Sequence, residues 1–209
     1  MAKCGFSETF AMQELLPGVW TWAWFSEPHG YHFRGYFFPL PEGNLCVDPV
    51  PPDERTLAEL VERGVSKILL TNRNHTRAAN AVRGATGART LVHPADAEHA
   101  RSMGCVVDGS LLAPGRVGPF EVVPVPGKSP GEVALYWSER KLLLVGDCVV
   151  GHPPGSLSLL PERVMDDPAR LRESVRSLLE LDFDVLLVGD GEPVLGGAAR
   201  KLRDLVASW

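Results

Sequence analysis

Short apolar runs bounded by Gly, Pro or Asn recur along the chain, and the way they alternate with helical segments leaves few architectures open. Residues 19–25, 31–38, 44–47, 67–71, 89–93 and 120–125 read as strands. Residues 133–137 and 141–145 read as a hairpin turning at Ser138, Glu139 and Arg140, and residues 185–188 as a continuous apolar strand suited to burial. Helical periodicity fills the gaps. Leu57, Leu60 and Val61 follow Asp53 as an N-cap and end at Gly64, and Pro168 opens a stripe of Leu171, Val175, Leu178 and Leu179. Ala198, Leu202, Leu205 and Val206 mark a last helix, with weaker helical patterns at residues 75–82 and 95–103. Strands first, then strands alternating with single helices, predict two packed sheets with helices on the outside. The alternating Trp20, Trp22 and Trp24 share one strand face and are expected in the core or at a seam between sheet and helix.

With 209 residues, 44% of them hydrophobic, the chain can build one stable core, and no linker divides it, so residues 1–209 are expected to form a single domain. The net charge of −5, with scattered Lys and Arg, argues against nucleic acid and anionic membranes as partners. No leader pattern or membrane-length apolar run is present, which predicts a soluble, cytoplasmic protein. Cys4, Cys46, Cys105 and Cys148 lack paired spacing and are expected to be reduced thiols, Cys46 and Cys148 acting as small hydrophobes.

Several segments, in order, resemble the metallo-β-lactamase superfamily, especially its glyoxalase II-like hydrolase branch. Residues 43–49 are similar to an early strand ending in aspartate, residues 68–71 to the strand before a histidine-rich metal loop, and residues 92–96 to the junction after it. Residues 126–131 resemble a metal-binding loop, residues 144–147 the strand that ends in a bridging aspartate, and residues 187–191 the last strand with its Gly-His-Gly turn. The resemblance implies an α/β fold, an αββα sandwich of two mixed sheets flanked by helices.

It also implies a two-zinc site, which needs imidazoles and carboxylates converging on one point. The H-x-H-x-D-H loop of that family reads here Asn72-Arg73-Asn74-His75-Thr76-Arg77. Lys128 and Asp190 stand where later histidines would be, and only Asp147 matches its family counterpart. The expectation is therefore a degenerate site with no metal cofactor. Arg77 and Lys128 would balance Asp147 and Asp190 in a salt-bridged cluster, with Arg77 reaching one of the two carboxylates. His75 falls between ligand positions, which predicts a structural histidine pointing away from the metal centre.

Three functional readings follow. In the first, a pseudoenzyme binds a small anionic ligand through Asn72, Asn74, His75, Arg77, Lys128, Asp147 and Asp190, the loop sitting at a helix N-terminus with free N–H groups. In the second, a hydrolase of ester or thioester bonds works through Lys128, or through a displaced metal held by Asp147 with His29, His32 or His152. The third is a homodimeric scaffold without ligand. A strand-to-helix connection kept without function at residues 72–77 also suits the sequence.

Overall fold

The computed structural model describes residues 9–209. Cys4 lies outside the described residues. A seven-stranded sheet runs in chain order through β1 (Thr9–Leu16), β2 (Val19–Ser26), β3 (Tyr31–Phe38), β4 (Leu45–Val47), β5 (Lys67–Leu70), β6 (Arg89–Val92) and β7 (Gly109–Ser110). Its first four strands are antiparallel and β4 to β7 are parallel. The second sheet holds β8 (Gly115–Val117), β9 (Phe120–Pro124), β10 (Val133–Trp137), β11 (Leu142–Val145) and β12 (Val185–Val188), in the order β12-β11-β10-β9-β8. Only β11 and β12 are parallel in it.

Helices α1 (Glu54–Arg63), α2 (Ala79–Thr86) and α3 (Pro94–Ser102) follow strands of the first sheet, and α4 (Pro168–Ser177) and α5 (Ala198–Ala207) flank the second. Three apolar layers show the stacking. Trp22, Phe37 and Ile68 meet Leu60 of α1 and Val82 of α2 on one side. Tyr36, Phe38, Leu69, Phe120, Leu135 and Leu144 fill the space between the sheets, and Leu143, Leu186, Leu171 and Leu202 pack on the far side. Each such burial contributes roughly 1.5–3 kcal/mol. The predicted αββα sandwich is what forms.

Local chemistry sets the helix ends. Asp53 caps α1 by accepting from the Thr56 N–H at 2.7 Å, and Gly64 ends it at a positive φ of 75°. Asp167 caps α4 on the Arg170 N–H at 2.9 Å, with Pro168 in the first turn. His93 caps α3, accepting from the Ala95 N–H. Trp22 is buried and its Nε1 donates to the Val50 carbonyl at 2.9 Å, while Trp20 and Trp24 pack on the same layer. Cys46, Cys105 and Cys148 are buried free thiols, all pushed up by burial and so unreactive.

Two features differ from the sequence reading. Strands β1, β7 and β8 were not anticipated. The helix expected from residue 75 starts only at Ala79, because residues 71–78 are turns that leave the helix axis and enter the site. The loop thus does not present a helix N-terminus at Asn72 or Asn74.

The parallel registers decide where chemistry can sit. Val47 pairs with Leu69, Leu70 with Val92, and Val145 with Val188, so the carboxyl ends of β4, β5, β6, β11 and β12 open on one edge of the sandwich. Crevices of this kind at strand ends are where α/β sheets place ligands. The sheets are tied together there: Tyr36 Oη donates to the Val188 carbonyl, the Arg34 N–H to that of Gly189 and the Gly191 N–H to that of His32, each at 2.8 Å.

Candidate functional site

Four strand ends deliver polar residues to this edge. Asp48 follows β4, Thr71 and Asn72 follow β5, Asp147 follows β11 after Gly146, and Asp190 follows β12 after Gly189. The two glycines are required by proximity. A Cβ on Gly189 would lie 2.8 Å from Cε1 of His75, and one on Gly146 would meet Thr71 Oγ1 and approach Asn72 Nδ2 and Glu132 Oε1 to 3.0 Å.

Asp48 is buried and locked by Thr71, whose N–H donates to Oδ1 at 2.8 Å and whose hydroxyl donates to Oδ2 at 2.6 Å. From Asp48 a chain of alternating charge runs outward. His75 Nδ1 is 2.8 Å from Asp48 Oδ2, His75 Nε2 is 2.9 Å from Asp147 Oδ1, and Asp147 Oδ2 is 3.0 Å from Lys128 Nζ. Lys128 also donates to Asn74 Oδ1 at 2.8 Å. Beside this chain Arg77 Nη2 donates to Asp190 Oδ1 at 3.1 Å, and the Arg77 guanidinium stacks 3.9 Å over the Phe33 ring.

The electrostatics follow from burial and contact. Burial opposes a charge on His75, but Asp48 and Asp147 outweigh it and push the imidazole up to about 10, so it carries a proton on both nitrogens at neutral pH. Burial likewise opposes the charge of Asp147, yet His75 and Lys128 hold that carboxyl well below the usual range. Desolvation and the Asp147 charge push Asp190 up to about 6 and Glu132 up to about 8. Burial thus favours the protonated, neutral form of Glu132. Its Oε1 accepts from the N–H groups of Asp147 and Cys148 at 2.7 and 2.9 Å, and its Oε2 has no partner. With Glu132 neutral, the cations His75, Lys128 and Arg77 balance the anions Asp48, Asp147 and Asp190.

A further carboxylate, Asp96 of α3, holds the two site loops together. It accepts from the Arg73 N–H at 2.8 Å, from the Ser129 hydroxyl and from the Gly131 N–H at 2.9 Å. Asn72 is fully buried, accepting from the Asn74 N–H at 2.8 Å.

Six of the seven residues expected at the site converge on it directly, and Asn72 supports the loop from below. Arg77 reaches Asp190 and Lys128 reaches Asp147. The orientation of His75 is a correction: its ring turns into the centre instead of away, because the turn at residues 72–75 carries it between Asp48 and Asp147. Asp48, Asp96 and Glu132 were missed as site residues. Asp48 and Asp96 carried a signal, the aspartates of segments 43–49 and 92–96, but Glu132 is an isolated carboxylate before an apolar strand. The displaced site imagined around His29, His32 and His152 does not assemble. His29 and His152 pack on Tyr31, at 5.9 and 4.7 Å between centroids, and His32 packs on Phe25.

Turning His75 inward also revises the expectation that metal ligands are simply missing. His75, Asp147 and Asp190 each offer an atom within 4.8 Å of the others, a possible triad for one ion. Zinc requires the free lone pair of a neutral imidazole, whereas Nε2 of His75 bonds to Asp147 and Nδ1 bonds to the Thr71 hydroxyl at 3.1 Å beside the Asp48 carboxylate. Lys128 and Arg77 stand at 3.0 and 3.1 Å from the two other triad members. One imidazole and two resident cations do not fit a pair of zinc ions.

Over this cluster lies a cavity of about 590 Å³, floored by Asn74, Lys128, Asp147 and Asp190. Among the described residues no helix is long and apolar enough to cross a membrane.

Known proteins share this architecture. A metallo-β-lactamase from Erythrobacter litoralis, solved with β-mercaptoethanol in its active site, superposes with a TM-score of 0.74 over 95% of this chain and 96% of its own, at 18% identity. The di-iron-bound form of TTHA1623 gives 0.63 over 82% and 94%, at 28% identity. In sequence, a hydroxyacylglutathione hydrolase of Anaeromyxobacter dehalogenans is 38% identical over 132 residues, 61% of this chain and 48% of that protein. The chain spans about half the length of the curated relatives it matches first. Residues 12–209 match the profile of the family described as "Metallo-beta-lactamase superfamily", and the chain belongs to that superfamily.

Proposed function

We propose that this chain works without a metal, as a pseudoenzyme that binds a small anionic molecule in the cavity over Asp147 and Asp190. The observation that carries the reading is the contact of Lys128 Nζ with Asp147 Oδ2 at 3.0 Å in a side chain only 8% exposed. An ammonium group there neutralises the carboxylate that a bridging metal would need. Arg77 does the same for Asp190, so the site is balanced without an ion. The cavity volume falls in the range of roughly 300–1,000 Å³ usual for small-molecule sites. Arg163 adds a further cation to its wall. Lys128 bonds to both Asn74 and Asp147, which holds it as a fixed donor at the floor.

Elemental analysis of protein purified without chelator, followed by zinc titration, tests the reading. The expected result is no stoichiometric zinc, iron or manganese, with thermal stabilisation by small carboxylates or phosphates. One bound equivalent of metal that displaces the Lys128 contact would overturn it.

A second reading rests on the triad of His75, Asp147 and Asp190 and on the relatives whose names describe hydroxyacylglutathione hydrolysis. In it His75, Asp147 and Asp190 would hold one ion, His75 giving up its Nε2 proton, and the ion would activate water for hydrolysis of a thioester. Turnover of a hydroxyacylglutathione that rises in step with added zinc or iron supports this reading, and no turnover at any loading excludes it.

A further inference from the structure

We propose that the molecule held in the cavity is a flat aromatic acid, its ring against Tyr31 and its carboxylate on Arg163; this rests on the metal-independent binding reading above. The floor supplies no net charge to select an acid, since Arg77 and Lys128 are paired with Asp190 and Asp147. Arg163 is different. It lines the same cavity, is exposed, and has no ion pair or hydrogen bond among the described residues, its neighbours Glu162 and Asp166 being paired with Arg172 and Arg73. An unpaired guanidinium at a cavity wall is a fork for a planar carboxylate.

The apolar lining argues for a ring rather than a bare anion. Tyr31 stacks on His152 at 4.7 Å and 28° and meets Phe33 edge-on at 5.7 Å, so its ring is held from behind and from the side. Burial and the Asp190 and Asp147 carboxylates push its hydroxyl up to about 12, which keeps this face uncharged at physiological pH. Leu160 and Val164 line the same space, and Val164 is 44% exposed. A cavity of about 590 Å³ is far larger than acetate or phosphate requires, and rigid aromatic side chains favour stacked or edge-on partners at ring distances.

Calorimetric titration of the full chain with phenylacetate, 2-phenylethanol, acetate and inorganic phosphate tests this. Phenylacetate is expected to bind at least about tenfold more tightly than either the neutral alcohol or acetate, the size of one charge-assisted contact. Arg163→Gln is expected to reduce phenylacetate to the affinity of 2-phenylethanol without loss of thermal midpoint, and Tyr31→Ala to reduce it towards that of acetate while Tyr31→Phe retains it. Equal binding of acetate or phosphate overturns the aromatic class while leaving anion binding intact. Equal binding of 2-phenylethanol, or an unchanged Arg163→Gln variant, overturns the role of Arg163. No binding of any probe overturns the proposal, and if zinc is taken up stoichiometrically as well, the metal-independent reading falls with it.

Discussion

Asp147 is the residue on which the cluster turns, since it joins His75 on one oxygen to Lys128 on the other. Removing it leaves two buried cations facing each other. Asp147→Ala is expected to cost about 3–5 kcal/mol in chemical denaturation, whereas Lys128→Met combined with Asp147→Leu should recover most of that loss. If the double variant is no more stable than Asp147→Ala alone, the pair is not the unit described. Asp147, Asp190, Arg77 and Lys128 were legible in the sequence because each stands, in chain order, at a ligand position that the family resemblance implies. The inward turn of His75 was not, because it depends on a loop conformation at residues 71–78 that leaves the helix pattern. Glu132 was invisible for another reason: a single carboxylate beside an apolar strand carries no pattern.

At the scale of elements, the long strands and the capped helices were readable because alternation, Asp53, Gly64 and Asp167 each impose a local preference. β1 escaped because Gln13 and Glu14 break its alternation, and its pairing with β2 shifts register on either side of them. β7 and β8 are two and three residues long, too short for any period to show. The ends of β11 and β12 carry the sharper constraint. Gly189→Ala would drive a methyl into the His75 ring, and since that ring is fixed by two carboxylates it cannot move aside. The expected penalty is about 1–3 kcal/mol in the urea midpoint, together with loss of the downfield imidazolium signal of His75 in NMR spectra. For comparison, Asp53→Ala removes a cap far from the site and should cost about 1 kcal/mol without touching that signal. An equal loss of the signal in both variants would mean that His75 reports general loosening rather than the glycine contact.

Over the whole molecule, the pH response between 4 and 8 is set by three buried groups of the cluster that bind protons more tightly in the folded chain than when unfolded. Asp190 moves from 3.8 to about 6, Glu132 from 4.5 to about 8, and His75 from 6.5 to about 10. For a raised group the unfolded chain loses its proton first as pH rises, so the stabilisation is complete below the unfolded value and disappears through the folded one. The Glu132 window overlaps each of the other two, and all three have the same sign. Asp147 acts oppositely, because its depressed carboxyl must be protonated as pH falls below 3.8. Stability should therefore peak near pH 4–5 and decline steadily towards pH 10, away from the near-neutral optimum common among proteins. Glu132→Gln isolates one contributor. The amide keeps an oxygen to accept from the Asp147 and Cys148 N–H groups and cannot ionise, so the variant should match the parent near pH 5 and exceed it at pH 9. Denaturation midpoints measured every half unit from pH 4 to 10 decide the matter: a parent curve that rises with pH between 5 and 8, or parallel curves for parent and variant, would show that Glu132 is ionised in the fold and that the charges of the cluster do not balance as drawn.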